Sequence, residues 1–403
     1  MKVLHVIPSL DPKSGGMSQA VRTLVAGLHS QDIQNDVVTL DEPTAGYIKD
    51  SSIIVHALGK GSGPWCYNKA LYPWLVGNLP NYDRVIVHGL WQYPGFALFK
   101  AVKEVKVEYY VMPHGMLDPY FQRSNGRRWK ALRNTVYWQF IERHVVNSAD
   151  GLMFTCEEEK RLALEPFSPY KPKKEVVVGL GVDQPPVKSS EMMDLFYACY
   201  PELRDNKYIL FLSRIHEKKG VDMLVEGYRE MVRQLIENDP RAVVPRLLIA
   251  GPGLETPYGR QILKQVDNAP GLRDYIIFPG MLSGDMKWAA YYGAGAFILP
   301  SHQENFGIAV VEALACSKPV LISNQVNIHR EISAAQAAVV ADDTPQGTYK
   351  LLKYWSQMSA EVKGRMERNA RYVYEKHFAV EPAMQRIIEA LKLKDKKHGP
   401  VTA

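Results

Sequence analysis

The chain has 403 residues, of which 46% are hydrophobic and 23% charged, with a formal net charge of +6. It is too long for one ordinary core and suits two domains, and no apolar run approaches the roughly 20 residues that span a bilayer. The modest basic excess suits phosphate-bearing ligands or an anionic surface and is too weak to point to nucleic acid. Four scattered cysteines (Cys66, Cys156, Cys199, Cys316) without CxxC spacing point to reduced thiols, not to a metal site.

The chain enters a short apolar strand, Val3–Ile7, at once, so no secretory leader is expected and a cytoplasmic location follows. Ala20, Val21, Leu24, Val25 and Leu28 then recur at helical spacing, with Ser14 or Ser18 as candidate N-cap. Further strands are predicted at 36–40, 53–58, 84–88, 108–112, 151–155 and 175–179. The Pro- and Ser-rich stretch 183–190 reads as a linker. The alternation then restarts, with strands at 207–213, 246–251, 274–279, 296–300 and 319–323 and a helix at 220–236. Amphipathic helices follow around 365–374 and 383–391, and a Lys-rich tail spans 392–398. Short continuous apolar strands between helices indicate parallel sheets covered on both faces. The expected architecture is α/β: two Rossmann-like doubly wound domains facing across a cleft. The expected domains are residues 1–185 and 186–377, with a final helix at about 378–403 packing back onto the first.

Five stretches carry chemistry. The loop Ser14-Gly15-Gly16 leads into a helix, where paired glycines admit close backbone approach and the helix start offers N–H groups to an anion. It is not a GxGxxG fingerprint, so no nicotinamide cofactor is indicated. His114-Gly115 and Asp118 follow a strand on a Gly/Pro-rich loop and suit a sugar hydroxyl or developing charge. Arg214 and Lys219 lie in a strand-to-helix loop, where open α/β sheets bind ligands, and suit a diphosphate. Glu304 and Glu312 have seven residues between them, the first in a turn and the second in the apolar helical run Ile308–Ala315. A carboxylate in such a run is costly unless something hydrogen-bonds it. The stretch Arg127-Arg128-Trp129-Lys130 opens an amphipathic segment running to Trp138. A core-packed helix with a solvated basic face is the preferred reading of that stretch, and peripheral contact with an anionic membrane the second.

In this order the motifs resemble the retaining nucleotide-sugar glycosyltransferases of family 4, the glycosyl transferases group 1, which have the GT-B fold. The strongest element is Glu304-Asn305-Phe306-Gly307-Ile308-Ala309-Val310-Val311-Glu312, supported by Gly15-Gly16, His114-Gly115, Arg214 with Lys219, and Gly251-Pro252-Gly253. The resemblance implies an acceptor domain followed by a donor domain. It implies that Glu304 binds donor-sugar hydroxyls, aided by the backbone of Asn305, Phe306, Gly307 and Ile308, and that Glu312 binds the ribose. Arg214 and Lys219 would neutralise the leaving diphosphate without a metal. Gly15 and Gly16 would bring backbone N–H groups to that diphosphate, and Met281 and Leu282 would adjoin the base. His114 would contact the sugar near the breaking bond. The donor would be a UDP- or GDP-sugar and the acceptor a glycan or lipid-linked molecule of polysaccharide or glycoconjugate synthesis. Front-face substitution would keep the anomeric configuration. No further cofactor is implied. Two departures stand out: Gly179-Leu180-Gly181-Val182-Asp183 replaces the usual Asn-Gly-Val-Asp, and a polar turn containing Asn324, Gln325 and Asn327 replaces a Gly-rich one. A non-catalytic nucleotide-sugar binding module and a GT-B epimerase are the alternative readings. A phosphorylase lacks any pattern for its pyridoxal-phosphate lysine.

Overall fold

The computed structural model describes residues 1–49, 53–123, 128–204 and 208–392. The chain forms two compact units: Met1–Asp183 together with the chain from Phe378 onward, and Gln184–His377.

The first unit is a seven-stranded parallel sheet. Its strands are β1 (Lys2–Ile7), β2 (Gln34–Thr39), β3 (Ile54–Ala57), β4 (Arg84–His88), β5 (Glu108–Met112), β6 (Gly151–Phe154) and β7 (Glu175–Val177), in spatial order 3-2-1-4-5-6-7. Side chains alternate between faces along a strand. Leu4 and Val6 accordingly join Val38, Val85 and Val87 in one buried cluster, while Ile7 and Val37 meet Val21 and Val25 of the helix Gly16–His29 in another. The order reverses between β1 and β4. Loops leaving such neighbours diverge and leave a crevice at the carboxyl ends of the strands.

The helix Val380–Lys392 packs on the helix Gly16–His29 within this unit. Gly27 makes the approach feasible, since a Cβ there would lie 2.7 Å from Val380 Cγ1. Arg386 Nε donates to Val178 O at 2.9 Å and Arg84 Nε to Leu391 O at 3.2 Å. The departing segment 179–183 serves this docking: Val182 N–H donates to Phe378 O at 2.9 Å.

The second unit repeats the strand order with β8 (Ile209–Leu212), β9 (Leu247–Ala250), β10 (Ile276–Gly280), β11 (Ala296–Leu299), β12 (Val320–Ser323) and β13 (Ala338–Ala341), arranged 10-9-8-11-12-13. The reversal here lies between β8 and β11. Among the described residues, no helix is long and apolar enough to cross a membrane.

Three local expectations need correction. The edge strand β13 was not anticipated, because Ala338–Ala341 is short and half-buried and carries little strand signal. The strand at 274–279 starts two residues late, since Leu272–Tyr275 is a 3-10 turn. Neither Ser14 nor Ser18 caps the first helix. Gly15, at φ +102°, is its N-cap; Ser14 ends a 3-10 turn, and Ser18 lies inside the helix with its hydroxyl donating to Leu10 O at 2.7 Å.

Candidate active site

The loops leaving β8 and β11 flank the order reversal of the second unit and carry most of the selected side chains. They touch closely. Gly220 sits at φ +65°, and a Cβ there would lie 2.3 Å from Pro300 O, so this position demands glycine on both counts. Ser301 Oγ donates to Lys218 O at 2.8 Å, and His302 N–H donates to the same carbonyl at 2.9 Å.

That contact sets Lys219 against Glu304. Lys219 Nζ donates to Glu304 Oε2, with both side chains largely buried. Glu304 is also held by its backbone: its N–H donates to Gln325 O at 2.9 Å, and Asn327 N–H donates to Glu304 O at 2.9 Å. The polar turn 324–327 therefore brackets Glu304 through main-chain bonds. Of its side chains, Asn324 Nδ2 donates to Asp342 Oδ1 at 2.8 Å, Gln325 to Asn324 at 2.9 Å, and Asn327 Nδ2 to Asn305 Oδ1 at 3.5 Å.

Gly307, at φ +79°, is the N-cap of the helix Ile308–Ala315 and provides no side-chain cap. Val310 and Val311 N–H donate to Gly307 O at 2.9 and 3.1 Å, while among the described residues no bond engages the Ile308 and Ala309 N–H groups, at the positive end of the helix dipole. A Cβ on Gly307 would come within 3.2 Å of Glu304 Cγ, so a larger residue would crowd that carboxylate.

Glu312 lies one turn further in. Its partners come from the helix Gly284–Gly293: Lys287 Nζ donates at 2.8 Å and Tyr291 OH at 3.1 Å. Burial beside this carboxylate pushes the Tyr291 hydroxyl well above its usual pKa. Sequence reading passed over Lys287 and Tyr291. The signal was present in their spacing of four residues, which puts both on one helix face.

Arg214 is exposed, and no hydrogen bond or ion pair among the described residues engages its guanidinium. Met281, just after β10, is 72% exposed, and Leu282 is half-buried. Asn305 is half-buried, while Phe306 points into the core.

In the first unit, Gly15 and Gly16 are exposed at the helix start. Asp41 pins the loop before them, accepting from Ser9 Oγ at 2.6 Å and Leu10 N–H at 2.7 Å. His114 follows β5 with φ +52°, a conformation that favours glycine. The turn is held from below by Glu159, which accepts from Gly115 N–H at 2.5 Å and from the Thr155 N–H and hydroxyl at 2.7 and 2.6 Å. Asp118 is buried and accepts from Tyr120 N–H at 2.8 Å, closing a turn.

The basic aromatic stretch departs from the core-packed reading. Arg127 lies outside the described residues. Along the helix Arg128–Tyr137 and the π-helical turn Trp138–Glu142, Trp129 is 85% and Phe140 75% exposed, with Leu132 and Val136 exposed between them. These four side chains line one groove of about 460 Å³. Lys130 and Arg133 on the same helix are exposed as well. Trp138, on the same turn as Phe140, is fully buried.

Two family descriptions match. "Glycosyl transferases group 1" covers residues 200–373, and "Glycosyl transferase 4-like domain" covers residues 15–181. The chain belongs to the glycosyl transferases group 1. This group 1 chain is 30% identical over 141 residues to a mannosylfructose-phosphate synthase of Agrobacterium fabrum, covering 34% of this chain and 30% of that protein. It is 28% identical over 218 residues to a D-inositol 3-phosphate glycosyltransferase of Geodermatophilus obscurus, covering 52% and 45%. The matches thus span less than half the length of these relatives. Its fold is shared with a glycosyltransferase from Rickettsia africae, at TM-score 0.77 and 17% identity over 98% of this chain and 99% of that one. It is shared also with Anabaena HepE in complex with UDP and glucose, at TM-score 0.74 and 16% identity over 98% and 100%. The fold is GT-B, two Rossmann-like units in one chain.

Proposed function

We propose that this chain transfers a sugar from a UDP- or GDP-sugar to an acceptor hydroxyl, with retention of anomeric configuration and without a metal. The observation that carries the reading is the pair Lys219–Glu304 at the order reversal of the second unit, set beside an uncapped helix start. Such a pair has one group suited to phosphate oxygens and one suited to sugar hydroxyls. A donor gives each ion a partner of its own, so Lys219 turns to the diphosphate and Glu304 to the sugar. Arg214 adds a second cation for the leaving diphosphate. Stabilising the departing charge in this way is the largest single contribution such a site can make.

Glu312 takes the ribose hydroxyls. Its bonds to Lys287 and Tyr291 use donors, which leaves acceptor capacity on the carboxylate for two more. The arrangement argues against a glycosidase pair: each carboxylate is bound to its own cation, and nothing aims both at one bond. Leaving phosphate takes the acceptor proton in this scheme, so no separate side-chain base is needed. The similarity to a mannosylfructose-phosphate synthase and a D-inositol 3-phosphate glycosyltransferase accords with a hydroxyl-bearing acceptor.

The exposed row Trp129, Leu132, Val136 and Phe140 with Lys130 and Arg133 supports peripheral contact with an anionic membrane, and with it a lipid-linked acceptor. Co-sedimentation with anionic vesicles at low salt checks this contact, and no binding there would discard it.

Turnover of labelled nucleotide sugars tests the main reading. Transfer that requires an acceptor and retains the anomeric configuration supports it. A binder would hold the donor and release no nucleoside diphosphate, and an epimerase would release a new sugar without acceptor.

A further inference from the structure

Polar groups run in file across the first sheet at its own order reversal. Asn35 is on β2, His5 on β1, His88 on β4 and His114 in the loop after β5. His5 Nε2 lies 3.2 Å from Asn35 Oδ1, His5 Nδ1 lies 3.1 Å from His88 Nε2, and His88 Nδ1 lies 3.0 Å from His114 Nε2. The ring centres of His5 and His88 are 5.3 Å apart with planes inclined by only 17°. Nitrogens 3.1 Å apart therefore lie between the two centres, and the rings meet head to head instead of face to face.

This file has a direction. Asn35 Nδ2 donates to Ile33 O at 2.6 Å, which fixes the amide so that Oδ1 faces His5. Oδ1 can only accept, so His5 Nε2 must carry a hydrogen. Burial keeps the rings neutral: it lowers His5 and His114 to about 4 and holds His88 well below the usual histidine range. A neutral imidazole has one N–H and one lone pair. His5 Nδ1 is then an acceptor, His88 Nε2 a donor, His88 Nδ1 an acceptor and His114 Nε2 a donor. Each assignment forces the next.

We propose that Asn35, His5 and His88 are positioning residues that lock His114 as its Nε2–H tautomer, so that His114 Nδ1 accepts a hydrogen bond from a ligand hydroxyl. No other hydrogen bond among the described residues engages the His114 ring, which leaves that lone pair for a ligand. The assignment rests on the donor-sugar reading of His114 and sharpens it. A sugar hydroxyl fits this nitrogen. A phosphate or carboxylate oxygen does not, because it would meet a lone pair with a lone pair. The same polarity excludes His114 as a proton donor to the leaving group.

Long-range proton–nitrogen correlation spectra of histidine-labelled protein, without ligand, read each tautomer directly. All three rings are expected as Nε2–H at neutral pH. An Nδ1–H form or an imidazolium at His88 or His114 would overturn the relay. Asn35→Leu removes the anchor and should leave His114 as a tautomer mixture. An unchanged His114 spectrum in Asn35→Leu would also overturn it. If that variant does not fold, the native spectrum decides alone. With a donor identified, kcat/KM should fall about tenfold in Asn35→Leu, the size of one misdirected hydrogen bond. An unchanged donor KM in His114→Ala would remove the hydroxyl contact. Absence of any turnover by the native protein would strike the transferase reading instead, and the spectra would still test the relay.

Discussion

The two sheets share one strand order over six strands, the first adding β7 at its edge, yet their order reversals are armed in opposite ways. In the second unit the loops after β8 and β11 bring together Lys219 and Glu304, with Lys287 and Glu312 close behind on helices. In the first, β1 and β4 bring together His5 and His88, neutral and fully buried. Solvation explains the contrast. Ions keep their charge at modest cost only where water or an opposite charge remains within reach, as at a loop rim. Around His5 and His88, which have no ion partner among the described residues, burial suppresses the charged form, and polarity is what their chain can transmit. One unit is therefore built to meet charge, and the other to present a hydrogen bond of fixed sense.

The contrast is broken most directly at Glu304. Glu304→Ala should lower kcat/KM about a thousandfold if that carboxylate stabilises the reacting sugar, with the fold retained. A loss under tenfold would remove Glu304 from the site. Next in size is Gly220→Ala. It places a Cβ 2.3 Å from Pro300 O in a left-handed conformation, and should destabilise the second unit by about 2–4 kcal/mol. Urea unfolding should show this transition moving while that of the first unit stays; no shift would mean that the two loops are not tightly packed.

A third outcome concerns pH and the first unit. The unfolded chain takes up protons on His5 and His114 near the ordinary value of 6.5, whereas the folded chain resists down to about 4. The unfolded state thus binds more protons in that window, and stability should fall as pH drops from 6.5 towards 4. Glu142 acts with the opposite sign, over a window that overlaps the histidine one below pH 6.5 and extends above it. Burial raises its carboxyl to about 8 from an ordinary 4.5, so the folded state holds the extra proton and stability should fall as pH rises through that interval. Glu142→Gln, which keeps an acceptor for Trp91 N–H, should abolish the alkaline loss and leave the acid one. Urea midpoints across that range check both arms, and a flat alkaline arm in the native protein would contradict the buried carboxyl.

Smaller effects refine the picture. Lys287→Met should raise the donor KM about five- to tenfold with less effect on kcat, because it loosens Glu312 without touching the breaking bond. An unchanged KM would detach Lys287 from the nucleotide. Trp129→Ser with Phe140→Ser should change stability by less than about 0.5 kcal/mol yet weaken vesicle binding. Vesicle binding unchanged in this double variant would move the membrane contact elsewhere.

Much of the site was legible before folding. Glu304, Glu312, Arg214 and Lys219 fall in motifs whose spacing reports a strand–turn–helix, and the chain places them on those elements. Their partnerships were not legible. That Lys219 meets Glu304 depends on two loops 85 residues apart in sequence being drawn together at one order reversal. Lys287 was overlooked because a lysine on a helix is usually a solvated one, and only the packing of its helix turns it towards Glu312. Nor was the bond from Tyr120 N–H to Asp118 legible, since an Asp in a Gly/Pro-rich loop serves a turn as readily as a ligand. His5 and His88 looked like parts of strands, although a histidine in each of two neighbouring apolar strands was a usable signal.

By itself the sequence determined the alternation of strands and helices, hence parallel sheets, and the residue types at each loop. Those follow from hydrophobic periodicity and local backbone preference, which act over a few residues. Tertiary structure alone decided which loops became neighbours, which ions paired, which apolar side chains of the Trp129–Phe140 row were left outside, and which way the histidine file points. Each of these depends on distances between segments far apart in the chain, and on the loss of water that occurs only when they pack.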